Sequence, residues 1–320
     1  MLMQRIAGAM LGASLLIAGT GLACAQDYPH KPIRIVTGGA GGGTDQASRL
    51  IAQGMSGNLG ISVLVDNRSG ILGSELVAKS SGDGYTIMLS GSNLWLAPFL
   101  QDKVPYDPVA DFSPITLAVS APNILVVHPS VPAHSVKELI SLAKARPGVL
   151  NYASVGTGGS NHIAAELFKS LSGVDMVRIS YKAGGIAFGE LIAGQVQVMF
   201  ATMGGSTPYV KAGRLRALAV TTAQPSPLVP GLATVANSGL PGYEAATIQG
   251  IFAPVKTPAA IINTLNQEIV RVLNKPDIRE KFNNVGVETV GSSATLLAAT
   301  VKSEMTRLGK VIQAARIRAD

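Results

Sequence analysis

Residues 33 to 45 read Ile33-Arg34-Ile35-Val36-Thr37-Gly38-Gly39-Ala40-Gly41-Gly42-Gly43-Thr44-Asp45, an apolar strand pattern that runs into five glycines within six positions. A helical pattern follows at once. A strand that breaks into such a turn and then opens a helix leaves backbone N–H groups without intrahelical partners, at the positive end of the helix dipole. Glycine also lets a ligand approach the backbone closely. The stretch therefore predicts an anion site, with a tight strand–helix connection that binds nothing as the alternative.

The Gly-rich turn matches neither common nucleotide motif. Counted from Gly39, the dinucleotide motif G-x-G-x-x-G requires a third glycine where Thr44 stands. A P-loop requires Gly-Lys-Ser/Thr, but Thr44 follows Gly43 directly, without a lysine. We therefore expect an anion other than a nucleotide.

The amino terminus has the pattern of an export signal. Arg5 supplies the positive charge, residues 6–22 are apolar, and Ala23-Cys24-Ala25 fits the small-x-small cleavage pattern. We predict a signal peptide over residues 1–25. A membrane anchor and lipid attachment at Cys24 are the alternatives. The apolar stretch is short for a membrane span, and Gly21 stands where a lipobox usually has an aliphatic residue.

Composition excludes several classes of site. Cys24 is the only cysteine, and cleavage after residue 25 removes it, which leaves no cysteine nucleophile and no Cys-based zinc site. The 26 Lys and Arg residues exceed the 19 Asp and Glu residues, but they are scattered and aromatic residues make up only 5% of the chain. This pattern predicts no nucleic-acid partner, and a modest basic excess suits a small acidic ligand. No cofactor is predicted.

Short apolar strands alternate with helical patterns, which predicts an α/β fold with largely parallel sheets. The predicted strands are Ile33–Val36, Val63–Val65, Tyr85–Leu89, Ile124–Val127, Met176–Ile179, Val196–Phe200, Leu215–Val220 and Gln249–Ala253. The predicted helices between them are Ala47–Leu59, Gly73–Ser80, Val136–Ala145, His162–Ser172, Ile186–Ala193 and Pro208–Ala212.

Two more helices are predicted after Gly242. Thr257 is expected to cap the first, with Pro258 at the first helical position. Ser292 or Ser293 is expected to cap the second. That last helix is predicted to bury Leu296, Leu297, Val301, Leu308 and Ile312.

A second strand–Gly turn–helix unit occurs at Asn151-Tyr152-Ala153-Ser154-Val155-Gly156-Thr157-Gly158-Gly159-Ser160-Asn161-His162. It repeats the logic of the first unit, with hydroxyl and amide side chains where a helix N-cap belongs. An open α/β sheet binds ligands outside the carboxyl ends of its strands, where both turns are expected. Two such helix ends facing each other predict a cleft between two lobes. A single lobe with two unrelated turns is the alternative.

The sequence contains no recognisable catalytic set. There is no H-E-x-x-H pair, and Gly204-Gly205-Ser206-Thr207-Pro208 has proline where a G-x-S-x-G motif requires glycine. His162 is either a cleft contact or a structural residue at its helix start. Asp45 most simply caps the first helix, and it could instead orient the Gly turn or receive a ligand ammonium. We predict binding groups without a reactive centre, hence no enzyme and no metal site.

A series of short motifs runs along nearly the whole mature chain, and each of them is weak alone. They are Tyr28-Pro29, Lys31–Arg34, Gly42–Asp45, Asn67-Arg68, Asp83–Thr86, Pro105–Pro108, Asp111-Phe112, Pro122-Asn123, Asn151–Ser154, Tyr181-Lys182, Gly194–Val196, Leu215–Val220 and Gly239–Tyr243. In their order and spacing they resemble the periplasmic solute-binding proteins of tripartite tricarboxylate transporters, often called the Bug family.

The resemblance implies a two-lobed type II periplasmic binding fold that closes by a hinge on a carboxylate in the cleft between its lobes. Backbone amides, hydroxyls and ordered water would hold the ligand. The protein would deliver it to membrane permease subunits as a periplasmic monomer. The lobes implied are residues 26–122 plus 236–320, and residues 123–235.

The chain departs from the family pattern in the loops expected to face the ligand. Thr37–Ala40 replaces a Pro-Phe-Ala-Pro-like approach to the first turn, and Ala201-Thr202 replaces a common Asp-Asn pair. A tryptophan that is common just before Gly250 is missing, with Ile248 or Gln249 nearby. Without the family's carboxylate at Ala201, the site suits an uncharged or aromatic part of the ligand. No named substrate is carried over.

Two groups of residues, one from each Gly turn, are expected to hold the ligand, and Ser92 and Thr202 are added as hydroxyls at strand ends. The predicted ligand-binding residues are Gly41, Gly42, Gly43, Thr44, Asp45, Ser92, Ser154, Thr157, Gly158, Ser160, Asn161, His162 and Thr202. The function predicted is capture of a small organic carboxylate. A sensor partner that presents its ligand to a membrane receptor, and an exported hydrolase or transferase, are the alternatives.

Overall fold

The chain folds into two α/β units, each built on its own sheet. A computed structural model describes residues 28–41, 43–68, 71–155 and 157–318. We call the unit around the six-stranded sheet the first lobe and the unit around the five-stranded sheet the second lobe. The predicted α/β class with two lobes is confirmed. The predicted signal peptide and Cys24 lie outside the described residues.

The strands follow one another along the chain with helices between most of them. They are β1 Ile33–Thr37, β2 Val63–Asn67, β3 Thr86–Gly91, β4 Phe112–Ala121, β5 Asn123–Val127, β6 Asn151–Val155, β7 Val177–Tyr181, β8 Val198–Thr202, β9 Arg216–Val220, β10 Thr247–Pro254 and β11 Glu288–Thr289. The helices are α1 Gly43–Leu59, α2 Ile71–Ala78, α3 Asn93–Leu100, α4 Val136–Ala145, α5 Ser160–Ser172, α6 Gly184–Ile192, α7 Met203–Lys211, α8 Ala259–Leu273, α9 Pro276–Asn284 and α10 Ala294–Ala314.

The two sheets share one arrangement. The first has the order β11-β4-β10-β3-β1-β2 and the second the order β7-β6-β8-β5-β9. Three neighbouring strands are parallel in each sheet, β2-β1-β3 in the first and β7-β6-β8 in the second. An antiparallel strand follows in each case, β10 in the first sheet and β5 in the second. That strand comes from chain that has just left the other sheet, so the lobes are joined by exchanged strands.

The chain crosses between the sheets at two adjacent places. Pro122 separates β4 from β5, and residues 221–246 connect β9 to β10. The Thr221 hydroxyl accepts from the Asn123 amide at 3.0 Å, and the Thr221 amide donates to the Asn123 carbonyl at 2.9 Å. The Ala245 amide donates to the Thr221 carbonyl at 2.9 Å. These bonds tie the crossovers into one narrow connection, the expected form of a hinge.

One hydrophobic core continues from lobe to lobe behind this connection. It includes Trp95 of α3, Phe168 of α5 and Leu308 of α10, all buried. The buried Tyr243 hydroxyl donates to the Ala164 carbonyl on α5 at 2.9 Å, which anchors the second crossover to the second lobe. The lobes are therefore held together at the back, behind the crossovers.

Several local predictions are corrected. Pro258, not Thr257, is the N-cap residue of α8, and the Thr257 hydroxyl is buried without a partner. Leu296 is 51% exposed because it lies on the solvent side of α10. The Ser293 hydroxyl does cap α10, accepting from the Leu296 amide at 3.2 Å, as one of the two predicted serines was expected to do.

Candidate functional site

A cleft of about 940 Å³ lies at the carboxyl ends of the parallel strands, between the lobes. Three helices begin at its wall: α1 at Gly43, α5 at Ser160 and α7 at Met203. Thr247 and Gln249 of β10 line it from the first lobe, as do Val285, Gly286 and Val287 between α9 and β11. Helix amino ends carry partial positive charge and unpaired N–H donors, so the cleft favours an anion.

Asp45 holds the first Gly turn in place. Its Oδ2 accepts from the Gly41 amide at 2.8 Å, at a glycine with φ of +78°. Its Oδ1 accepts from Asn67 Nδ2 at 2.9 Å and from Arg49 Nε at 2.9 Å. Asn67 Nδ2 also donates to the Gly38 carbonyl at 2.8 Å. The turn is thus fixed by side chains that arrive from α1 and from the end of β2.

These contacts determine the protonation state of Asp45. The hydrogen bonds from Asn67, from the Gly41 amide and from Arg49 lower the pKa of Asp45 to about 2. The carboxylate is therefore charged at neutral pH and already satisfied by protein donors. It lies at the third position of α1 rather than at its N-cap, and of the roles considered for it, the contacts favour orienting the turn.

The second Gly turn is organised around His162. The buried ring accepts from the Gly158 amide through Nδ1 at 3.1 Å, and the His162 amide donates to Asn161 Oδ1 at 2.9 Å. Burial lowers the pKa of His162 to about 4, and the charge of Arg178 adds to the effect. The imidazole is therefore neutral at physiological pH, with its proton on Nε2. It braces the turn at the first helical turn of α5.

Arg178 of β7 links the hydroxyls beneath this turn, and the sequence analysis did not find it. Its Nε donates to Ser154 Oγ at 2.7 Å, and its Nη2 donates to Thr157 Oγ1 at 3.3 Å and Ser180 Oγ at 3.1 Å. Ser154 is fully buried. The Ser154 and Thr157 hydroxyls are thus oriented by a cation supplied from the neighbouring strand, a pairing that depends on the β6–β7 register.

The third helix end was also missed. α7 begins at Met203, five residues before the predicted Pro208, and Thr202 is its N-cap residue with φ of −60° and ψ of 141°. Its side chain makes no capping hydrogen bond. The sequence Thr202-Met203-Gly204-Gly205 contains the same signal as the first two turns, a strand end followed by glycines and a helix.

Some of the predicted ligand-binding residues line the cleft, and others lie next to the residues that line it. Gly43, Ser160 and Thr202 line the cleft, Thr157 and Gly158 lie in the turn that leads into Ser160, and Asn161 and His162 follow it in the first turn of α5. Ser92 occupies the N-cap position of α3 without a capping bond, and it is not among the described residues that line the cleft. Gly42 lies outside the described residues. The ligand-binding role of the set stays a prediction.

Two charged side chains line the cleft among the described residues. Arg49 and Lys281 are the charged residues among the described ones that line the cleft, and no Asp, Glu or His joins them there. The described residues contain no group of three metal-ligating side chains. Within the same part of the chain, no helix combines the length and hydropathy of a membrane span. Because no Asp, Glu or His is among the described lining residues, the hydroxyls of Ser160, Thr202 and Thr247 have no carboxylate or imidazole base beside them there.

Comparison with known proteins agrees with this picture. Residues 47–317 match the model of the tripartite tricarboxylate transporter family receptor. The protein BugT of Bordetella pertussis is 32% identical over 95% of this chain and 96% of its own length.

Two solved structures of relatives contain small acids. One is Rpa4515 of R. palustris with adipate, 34% identical, with a TM-score of 0.75 over 92% of this chain and all of that one. The other is MatC of Rhodopseudomonas palustris with bound malate, 28% identical, with a TM-score of 0.71 over 89% of this chain and all of that one. The sheet order, the cleft and these matches confirm the type II periplasmic binding fold and the resemblance in the sequence. The chain belongs to the receptor family of the tripartite tricarboxylate transporters.

Proposed function

We propose that this protein is a periplasmic solute-binding protein that captures a small organic carboxylate and delivers it to the membrane permease of a tripartite tricarboxylate-type transporter. The proposal rests above all on the convergence of three helix amino ends on one cleft that no acidic side chain lines among the described residues. An anion bound there accepts from backbone N–H groups that have no intrahelical partner.

The donors around the cleft and the ligands of two relatives support a carboxylate as the anion. The amide donors at Gly43 and Ser160 come from different lobes, and Thr202 adds a hydroxyl beside the third helix end. Two members of the same family hold adipate and malate in their structures. Arg49, which is paired with Asp45, and Lys281 lie at the wall of the cleft, where they add positive potential.

Delivery to the permease requires that the ligand be released, and opening of the hinge releases it. Contacts from both lobes to one ligand exist only when the cleft is closed, so binding shifts the population toward the closed state. We place the lobes at residues 26–122 plus 236–320 and at residues 123–235, with the hinge where Thr221 joins Asn123. The signal peptide over residues 1–25 and the action as a monomer are part of the same proposal.

The test is a binding screen on protein freed of ligand by unfolding, dialysis and refolding. Mono-, di- and tricarboxylates, aromatic acids included, are compared by thermal shift and then by calorimetry. A ligand that binds only the native state raises Tm with concentration. The proposal is contradicted if no carboxylate stabilises the protein while an uncharged or cationic solute does. X-ray scattering tests closure and monomeric mass, and an unchanged radius on saturation argues against the hinge.

A further inference from the structure

Two side chains of β10 that line the cleft carry oxygens that lack any hydrogen-bond partner in the described structure. Gln249 is 7% exposed, and its Oε1 is buried without a partner. Thr247 Oγ1 is likewise buried without a partner. Buried polar atoms are nearly always hydrogen-bonded, and leaving one unpaired is unfavourable. The described protein therefore supplies no hydrogen-bond partner for either oxygen.

The two residues lie on one face of the strand, beside the first Gly turn. They are two positions apart in a regular stretch of β10, where Thr247 pairs with Ala121 and Gln249 with Val119. Gln249 Nε2 is 3.5 Å from the position that a Cβ would take at Gly43, the first residue of α1. A carboxylate held by the α1 amino end therefore lies beside Gln249, and Thr247 follows two positions away on the same face of the strand.

The chemistry of the pair distinguishes among acids. A carboxamide offers one acceptor oxygen and one donor group, and a hydroxyl offers both functions. An ionised carboxylate can only accept, so it leaves the Gln249 oxygen unsatisfied. A ligand hydroxyl both donates and accepts, and it is the smallest uncharged group that pairs with an acceptor and a hydroxyl at once.

We propose that Gln249 and Thr247 form a hydroxyl-recognition subsite, so that the preferred ligand is a hydroxycarboxylate with its hydroxyl on the first or second carbon from the acid group held by α1. The inference rests on the proposed function, because it assumes an acid group at Gly43. The subsite distinguishes hydroxycarboxylates from other carboxylates, which the helix ends alone do not do.

The test compares acids that differ only by a hydroxyl. The pairs are malate and succinate, lactate and propionate, citrate and tricarballylate, and mandelate and phenylacetate, each measured by calorimetry on ligand-free protein. In every pair that binds, we expect the hydroxy acid to bind at least about tenfold more tightly, since a missing hydroxyl leaves a buried oxygen unpaired.

Two near-isosteric variants localise the effect. Gln249→Met and Thr247→Val should each reduce the preference to about threefold or less while the acid without the hydroxyl keeps its affinity. Gln53→Met makes the same change at an exposed position of α1, and it should keep the preference of the wild type.

Three results would contradict the subsite, and one of them would also contradict the proposed function. Equal or tighter binding of the acids without hydroxyl to the wild type overturns the hydroxyl subsite and leaves the carboxylate function standing. Equal loss of both members of a pair in the variants also overturns it, because the pair then shapes the cleft without reading the hydroxyl. If no acid binds the wild type at all, the proposed function itself fails, and the subsite fails with it.

Discussion

Gly286 of the first lobe packs against the backbone of Gly204 in the second lobe, so closely that a Cβ at Gly286 would lie 2.9 Å from the Gly204 amide nitrogen. The approach is mutual, since a Cβ at Gly204 would lie 3.0 Å from the Val285 carbonyl oxygen. Ser226 of the second lobe also donates a hydrogen bond to Glu288 of the first lobe. Two glycines therefore let the lobes meet at the amino end of α7.

We expect Gly286→Ala to weaken ligand binding by about tenfold, because the added methyl group separates the lobes at this contact. The glycine has φ of +78°, so alanine also costs about 1–2 kcal/mol of fold stability. Gly242→Ala is the matched control, since its φ is +82° and no atom lies within 4 Å of the added Cβ. Calorimetry and melting curves separate the effects. If both variants bind equally well, the contact does not govern closure.

Asp45 should matter more for the turn than for direct contact with the ligand. Asp45→Ala removes the acceptor of the Gly41 amide and of Asn67, so we expect a lower Tm and ligand affinity reduced by about tenfold. The folded-state pKa is lowered to about 2, so the contribution of the carboxylate to stability is present above its usual pKa near 4 and is lost as the pH falls toward 2. Urea unfolding across this pH range measures it. A variant with unchanged Tm but abolished binding would instead indicate direct ligand contact.

His162 should make the protein less stable in moderate acid. Its folded-state pKa of about 4 lies below its usual value near 6.5, so the unfolded chain takes up the proton first. Stability is therefore complete above about pH 6.5 and falls as the pH drops toward 4. His162→Asn keeps an acceptor for the Gly158 amide and should flatten this dependence in urea unfolding. His134→Asn, at an exposed position, should leave it unchanged. An unchanged slope in His162→Asn contradicts the assignment.

Glu304 should produce the opposite dependence on pH. Burial raises its pKa to about 7, and its Oε2 accepts from the indole of Trp95 at 2.8 Å. A raised pKa stabilises the fold below the usual value near 4.5, and this contribution is lost as the pH rises through 7. Trp95 is the only tryptophan, so its fluorescence should titrate with a midpoint near pH 7. Glu304→Gln should abolish the titration and raise stability at about pH 8. A fluorescence titration that persists in Glu304→Gln would assign it to another group.

The sequence predicted the elements whose pattern is local. The helix Val136–Ala145 has the bounds that the sequence predicts, because Ser135 caps it and its apolar residues keep one face. Most predicted strands lie within one or two residues of the observed ones, because buried parallel strands read as short apolar runs.

The elements that were missed depend on tertiary context. α3 is apolar around nearly its whole surface and contains Pro98, so it has no amphipathic period, and its stability comes from burial of Leu94 and Trp95. β4 contains Pro114, and its pairing with β10 passes through two register shifts, one of them beside that proline. The prediction that Thr257 caps α8 was wrong for a similar reason, because tertiary packing buries its hydroxyl.

The candidate site was predictable to the extent that it consists of glycine turns. The first two helix ends carry glycines with hydroxyls after strands, and both lie at the cleft. The third helix end has the same pattern, but the predicted start of α7 at Pro208 concealed it. Arg178 and Gln249 could not be found in this way, because their roles arise from strand register and from which face of β10 meets α1.

The exchanged strands determine the order in which this protein can be assembled. The strands of the second sheet are contiguous, from residue 123 to residue 220, whereas β10 enters the first sheet between β3 and β4. A chain made from its amino terminus therefore completes its second sheet before its first. A chain stopped before residue 247 would leave β3 and β4 with facing edges unpaired, which are the edges that recruit other chains into aggregates.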